Sequence, residues 1–265
     1  MPLPKGGGFI TTVISHFYNE EYLLPWWLMH HTQIFDHGIL INRGSTDRSV
    51  EMCQLFAPHW EVRNSRVPEF DAIEVDREVM DIETEYTDWK MVLNTTEFLC
   101  CQNKDEFFSS LNALGENMYS IRVIMLVDDP NHGYTDPVYT IPLVNQRYHG
   151  YFPIDNTHPC VGRLIHKHEH GAYTAGRHWS PHKFIVYLTA PAFVVKFFYS
   201  PWNDLTRKRK LQIGPTLSAH SIQNGLGIYH VTTPEKLEQS YMYYASATQD
   251  LRLIPEYLEL FTHLK

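Results

Sequence analysis

The 265-residue chain is poor in cysteine, in positive charge and in long apolar runs, and each shortage removes a class of protein. Its four cysteines, Cys53, Cys100, Cys101 and Cys160, include no C-x-x-C pair, so a zinc ribbon or thioredoxin-type centre is excluded. Cys100 and Cys101 sit among apolar residues and read as buried free thiols, which suits a reducing compartment. The formal net charge is -8, whereas a protein that grips nucleic acid through its phosphates is usually basic, so that partner class is set aside. The only basic run, "RKRK" from Arg207 to Lys210, is too short for such a footprint and reads as a solvated helix face. No stretch approaches the roughly 20 apolar residues of a membrane span. The start, "MPLPKGGGFITTV", has no long apolar run after its lysine, so no signal peptide is expected. The reading is a soluble, cytoplasmic protein. Repeats and low-complexity linkers are also missing.

What is present is ordinary globular composition, with 43% hydrophobic and 20% charged residues. Aromatics reach 14% and histidines number 16. That aromatic content fits either a binder of ring-shaped ligands or a tyrosine-rich core and surface. The length suits one large domain or two small ones.

The first half alternates strand and helix signals. "FITTVISHF" reads as a buried strand, and "NEEYLLPWWLMHHTQIF" as a helix with Asn19 as its cap and Pro25 in its first turn. "HGILIN" is a second strand and "SVEMCQLFA" a second helix. "WEVRNS" is a third strand, followed by the helix "FDAIEVDREVMDIETEY", which packs through Ile73, Val75, Val79 and Ile82. "DWKMVLN" is a fourth strand. This rhythm predicts an α/β fold: a mostly parallel sheet covered by helices. Such sheets bind ligands at the carboxyl ends of their strands, where "FYNE", "NRGSTD" and "NTTE" fall. After the strand "YSIRVIMLVDD" the chain becomes loop-rich. "RLIHKHEHGAY" alternates like a strand, "HKFIVYLTAPAFVVKFF" reads as strands or a strand and a helix, and helices start near Asn203 and Thr233. The simplest organisation is one domain over 1–265, with 1–130 and 131–265 as two halves sharing a sheet.

The ordered set "NEEYLLPWWLMHH", "NRGSTDRS" and "WKMVLNTTEFL" resembles the family-two glycosyltransferases and their close relatives. "GRHWS", "RKLQI" and "GLGIYH" resemble a branch of that group. The resemblance spans nearly the whole chain. It implies a glycosyltransferase A-type fold and transfer of a sugar from a nucleoside-diphosphate sugar, usually with inversion, to a glycan, polysaccharide or glycoprotein acceptor. The 1–130 half would then bind the donor and the 131–265 half the acceptor.

Within that frame Asn19 can offer its amide to a nucleobase or ribose. In "NRGSTD", Gly44 lets the backbone approach a ligand, and Asn42, Ser45 and Asp47 can bond ribose or base. Asn42 and Arg43 stand where the family commonly has Asp and Asn. Asp47 alternatively caps the helix that begins near Ser49. Arg77 faces the diphosphate or is a solvated helix arginine.

In the family, two aspartates flanking one residue hold a divalent ion, manganese or magnesium, that bridges the diphosphate and neutralises the leaving group. Asn94 and Thr96 occupy both positions here and supply no charge. Glu97 is the remaining carboxylate, and it either ligates the ion or braces the loop. The resemblance also offers His178 of "GRHWS", the last residue of a Gly-x-His, as a metal or phosphate contact. His166, His168 and His170 alternate and would share one strand face, an arrangement that can bind zinc or simply line a surface.

Inversion needs a general base. The candidates are Glu169, preferred because it precedes the Gly-x-His segment, then Asp129, Asp128 and Asp155. Two other functions stay open at the level of sequence. One is a non-catalytic nucleotide-sugar or carbohydrate-binding module, favoured by the missing aspartates. The other is a zinc hydrolase built on the histidine cluster.

Overall fold

The computed structural model of the chain describes residues 9–153, 162–187 and 192–261. Asp155 and Cys160 lie outside these residues. In chain order the elements are β1 (Thr11–Phe17), α1 (Leu24–His31), β2 (His37–Asn42), α2 (Ser49–Phe56), β3 (Glu61–Asn64), α3 (Ala72–Glu83), β4 (Trp89–Val92), β5 (Glu97–Cys101), α4 (Lys104–Leu114) and β6 (Met118–Val127). There follow β7 (His149–Tyr151), β8 (Gly162–His166), β9 (Ile185–Tyr187), β10 (Ala192–Tyr199), α5 (Asp204–Leu211), α6 (Ala219–Gln223), α7 (Pro234–Ala245), β11 (Gln249–Asp250) and α8 (Pro255–Phe261).

Both halves of the chain join one sheet flanked by helices, with a main path β11-β7-β6-β8-β4-β1-β2-β3. The strands β4-β1-β2-β3 are parallel throughout, so their carboxyl ends, Val92, Phe17, Asn42 and Asn64, come out along one edge. Beyond β4 the sheet is mixed. β8 pairs antiparallel with both β4 and β6, β5 pairs antiparallel with β10, and β10 runs parallel to β6. Two of these pairings position the site. The antiparallel run of β8 carries Arg163 past the end of β4. The β5–β10 register sets Lys196 opposite Glu97.

The core lies between the sheet and its helices. Trp27, His31, Phe35 and Phe98 pack together under α1. His31 is fully buried. Its Nδ1 lies 2.9 Å from the Trp27 carbonyl and its Nε2 accepts from Leu99 N–H at 3.1 Å. The second bond makes Nε2 the acceptor, so Nδ1 carries the proton. One side chain thereby joins α1 to β5. Cys53, Cys100 and Cys101 are buried free thiols.

Helix α3 starts at an Asp71 cap that accepts from Ile73 N–H and Glu74 N–H. Val75, Val79 and Ile82 follow the helical period and are buried, while Ile73 is only half-buried. The same inward side carries Asp76, Glu78 and Glu83, all buried, and each meets a base from another element. α1 begins at Leu24 with Pro25 in its first turn, as expected, but Asn19 is not its cap. β8 stops at His166, so the alternating histidines do not share a strand face. His166 instead bonds Glu83 at 3.0 Å, and the His168 ring stacks on His182 at 4.0 Å. Among the described residues no group of three or more His, Cys, Asp or Glu is placed to hold a metal ion.

Candidate functional site

At the carboxyl edge of the parallel strands lies a cleft of about 760 Å3, within the usual range for small-molecule sites. Its walls come from the loops after β1, β2 and β4, from α3, from the start of β8 and the 175–178 turn, from β10 and α5, and from the 225–232 loop.

The floor is the "NTTE" segment. Glu97 is fully buried, and both its oxygens are engaged. Oε2 accepts from Asn94 N–H at 2.9 Å and Arg163 Nε at 2.8 Å. Oε1 accepts from Arg163 Nη2 at 2.5 Å and Asn94 Nδ2 at 3.3 Å, with Lys196 Nζ 3.2 Å away. Burial works against the ionised carboxyl, but Arg163 and Lys196 hold it well below the ordinary glutamate range. Glu97 therefore braces the loop, which corrects the expectation of an open metal ligand.

Asn94 and Thr96 both line the cleft. The Asn94 amide is committed at both ends, since its Oδ1 accepts from Arg177 Nη2 at 2.9 Å. Arg177 also forms a buried ion pair with Asp76 of α3. It holds a left-handed backbone, φ +60, directly after Gly176 at φ +91. That strain, of order 1–3 kcal/mol for a non-glycine residue, is held in place because Gly176 N–H also bonds Asp76, at 2.8 Å.

His178 lines the cleft with Nδ1 3.0 Å from the Gly162 carbonyl. This contact puts the proton on Nδ1 and leaves Nε2 as the acceptor. Burial, aided by the Arg163 charge, lowers its pKa to about 3, so the ring is neutral at physiological pH.

The remaining proposed contacts fall elsewhere. Asn19, at φ +50, turns its Oδ1 to Thr46 N–H at 2.7 Å and Asp47 N–H at 3.3 Å, and its own N–H to Ser45 Oγ at 3.0 Å. Asn42 Oδ1 accepts from Ser45 N–H at 2.8 Å. Asp47 accepts from Ser49 N–H and from Glu21 N–H, each at 3.0 Å. It thus serves the start of α2, the alternative kept open above. These four side chains lace two turns together and do not line the cleft. Arg77 is exposed and pairs with Glu74 at 2.5 Å, the solvated-helix alternative.

The three candidate bases among the described residues also lie off the cleft walls. Glu169 is exposed past the end of β8. Asp129 accepts from Asn131 N–H at 2.9 Å and so closes a turn. Asp128 is buried against Arg147, Ser200 and Trp202 N–H. Among the described residues the carboxylates that do line the cleft are Asp76 and Glu20. Glu20 is buried and pairs with Arg209 Nε at 2.5 Å; its pKa is raised by burial, with Arg209 opposing the rise.

That pair exposes the largest omission of the sequence reading. "RKRK" is not a free face. α5, capped by Asn203, turns Arg209 and Lys210 into the cleft. Among the described residues the cleft wall presents Arg43, Arg163, Arg177, Lys196, Arg209 and Lys210 against only Glu20 and Asp76, with Glu97 beneath. On a chain of net charge -8 this concentrates positive charge in one concavity. The Asn203 cap marked where the helix starts, but adjacent residues such as Arg209 and Lys210 carry no helical spacing that tells which of them turn inward.

No family model matches the chain, and no curated protein matches it. Among solved structures it is similar to S. aureus TarS 1-349 in complex with UDP, at 11% identity over 60% of this chain and 46% of that one, with a TM-score of 0.39. It is similar to the same protein in complex with UDP-GlcNAc, at 13% identity over 49% of this chain and 37% of that one, TM-score 0.34. A third is glucosyl-3-phosphoglycerate synthase from Mycobacterium tuberculosis in complex with Mg2+ and UDP, at 11% identity over 60% of this chain and 57% of that one, TM-score 0.36. The chain spans less than half the length of these TarS structures.

Proposed function

We propose that the chain is a glycosyltransferase of the A-type fold that moves a sugar from a nucleoside-diphosphate sugar to a saccharide acceptor. The observation that carries this reading is the cleft itself. Six cationic side chains gather at the carboxyl edge of a parallel sheet, on an acidic protein, where a polyanionic ligand is attracted and held. The motifs shared with family-two glycosyltransferases fall on or beside that cleft.

The reaction is a single displacement with inversion. The acceptor hydroxyl oxygen attacks the anomeric carbon from the face opposite the diphosphate. The bond from that carbon to the phosphate oxygen breaks, its electron pair leaves with the diphosphate, and the hydroxyl proton passes to a base. Glu20 is our choice for the base, because it lines the cleft and its burial raises its pKa toward the working range. The acceptor lies over the aromatic wall of the second half, where Phe198, Tyr229 and Tyr244 face the cleft.

The test is product analysis with a panel of nucleotide-sugars and saccharide acceptors, following nucleoside diphosphate release and the anomeric configuration of the product by NMR. Release with inversion is expected. Retention of configuration would overturn the mechanism, and the absence of both release and binding with every donor would overturn the assignment. A second reading, a binding module of the same fold, is favoured by the neutral Asn94 and Thr96. Donor binding without turnover under every acceptor and metal condition would select it.

A further inference from the structure

We infer that this cleft holds its diphosphate without a divalent ion, the ammonium groups of Lys196 and Lys210 taking the ion's place. The inference rests on the donor-binding reading above and deepens it.

The residues at the expected metal position do not fit a hard dication, which wants one or more free carboxylate oxygens. Asn94 spends its amide oxygen on Arg177 and its amide nitrogen on Glu97. Thr96 brings a single neutral hydroxyl. The only carboxylate of the segment, Glu97, is enclosed by Arg163 and Lys196. A dication seated there would have to displace both cations and then remain close to them, and repulsion between like charges in a partly desolvated site opposes that.

The same geometry supplies the missing charge. The β5–β10 register sets Lys196 across from Glu97, at the strand position beside the "NTTE" loop. Its side chain stays 23% exposed and lines the cleft. One turn of α5 supplies Lys210, whose Nζ stands 4.0 Å from the centre of the Tyr199 ring and 4.7 Å from that of Phe198. Among the described residues Lys210 makes no close ion pair; the nearby Glu20 carboxylate that favours its charge is taken by its neighbour Arg209.

In the free cleft Lys196, Arg209 and Lys210 crowd one another. Burial and then those neighbouring charges depress the Lys210 ammonium well below its ordinary range. A diphosphate relieves that crowding. Lysine binds phosphate as a compact point charge, and two such charges offset what the leaving diphosphate gains when its bond to the sugar breaks.

Titration calorimetry of UDP, GDP, ADP, CDP and inorganic pyrophosphate, in EDTA and then in manganese, tests this. At least one nucleoside diphosphate is expected to bind in EDTA with a Kd within about two-fold of its value in manganese. Lys196→Met and Lys210→Met are each expected to weaken it by about ten-fold or more, while Lys196→Arg restores most of the loss. Lys183→Ala, which removes an exposed ion pair with Glu116 outside the cleft, is expected to change nothing. Circular dichroism of each variant shows whether it folds. If Lys196→Met fails to fold, Lys210→Met decides. Binding that appears only with manganese overturns the inference and leaves the donor-binding reading intact. Metal-independent binding that survives both methionine variants overturns the role of the lysines alone. Binding of no diphosphate under either condition overturns both.

Discussion

Glu97 lies buried beneath the cleft floor, and its removal should be felt first in stability. Breaking a buried ion pair on one side leaves the other charge uncompensated, at a cost of about 3–5 kcal/mol. Arg163, 2% exposed in its side chain, would be that stranded charge. Urea unfolding of Glu97→Gln is expected to show a loss of this order, and a loss under about 1 kcal/mol would mean that water reaches the pair. The pH dependence has a definite sign. Glu97 titrates lower in the folded chain than in the unfolded one. Its contribution is therefore complete above the ordinary glutamate value and disappears as pH falls through the folded value. For catalysis, Glu20→Gln should lower kcat by about a hundred-fold or more if Glu20 is the base, with the donor Kd changed far less; steady-state kinetics separates the two. At this scale sequence reading was partial. The strand ends and the Gly-x-His were visible, and Asn94, Thr96 and His178 do line the cleft. Asn19, Asn42 and Asp47 stand at the right loops, but their side chains turn to backbone N–H groups. Position along a chain fixes which loop a residue belongs to, while direction is set by which donors lie within 3 Å after folding.

Among the elements, α4 is the clearest case of local chemistry setting an end. Asn103 accepts from Asp105 N–H and Glu106 N–H, and Gly115 closes the helix at φ +81. Asn103→Ala should cost about 1 kcal/mol, read as a shift in the chemical-denaturation midpoint with an unchanged slope. The sequence reading passed over this helix. Its apolar residues Phe107, Phe108 and Leu111 are parted from the apolar β5 by five polar residues, Gln102 to Glu106, and the helix is only about three turns long, so its stripe is short. The parallel strands were legible because each is short and closed by turn residues, with β-branched residues concentrated in β1 and β2. β8 was legible as a strand but its end was not, since alternation from Arg163 to His170 continues past the last ladder pair at His166. α3 shows the limit of pattern reading. Its apolar stripe was visible, but Asp76, Glu78 and Glu83 are buried beside it, each answered by Arg177, His16 or His166. A carboxylate reads as solvent-facing until its partner arrives from elsewhere in the chain, here 62, 83 or 101 residues away.

For the molecule as a whole, charge and proton balance govern both ligand and stability. A polyanion entering a cationic cleft should lose affinity as salt rises. It should also take up protons, because it restores the Lys210 ammonium that burial and neighbouring cations depress. Affinity should then fall as pH rises, and calorimetry in two buffers of different ionisation enthalpy would show the uptake; no uptake would mean that Lys210 is already charged. Stability runs the other way. Burial lowers His30 to about 4 and His178 to about 3, against about 6.5 when unfolded. Between those values the unfolded chain binds more protons, so stability is fullest above about pH 6.5 and declines as pH falls. A melting temperature that stays flat from pH 7 to pH 4.5 would contradict this. The laced turns at the sheet edge have a mechanical consequence. Because Asn19, Ser45 and Asp47 stitch the β1 and β2 turns into a single lip, neither can swing alone. α5 is tied to that lip as well, through Arg209 to Glu20 and through Gln212 to the carbonyls of Tyr18 and Asn19, so lip and helix form one stiff jaw, and a hinge that admits cargo falls to the 225–232 loop facing them.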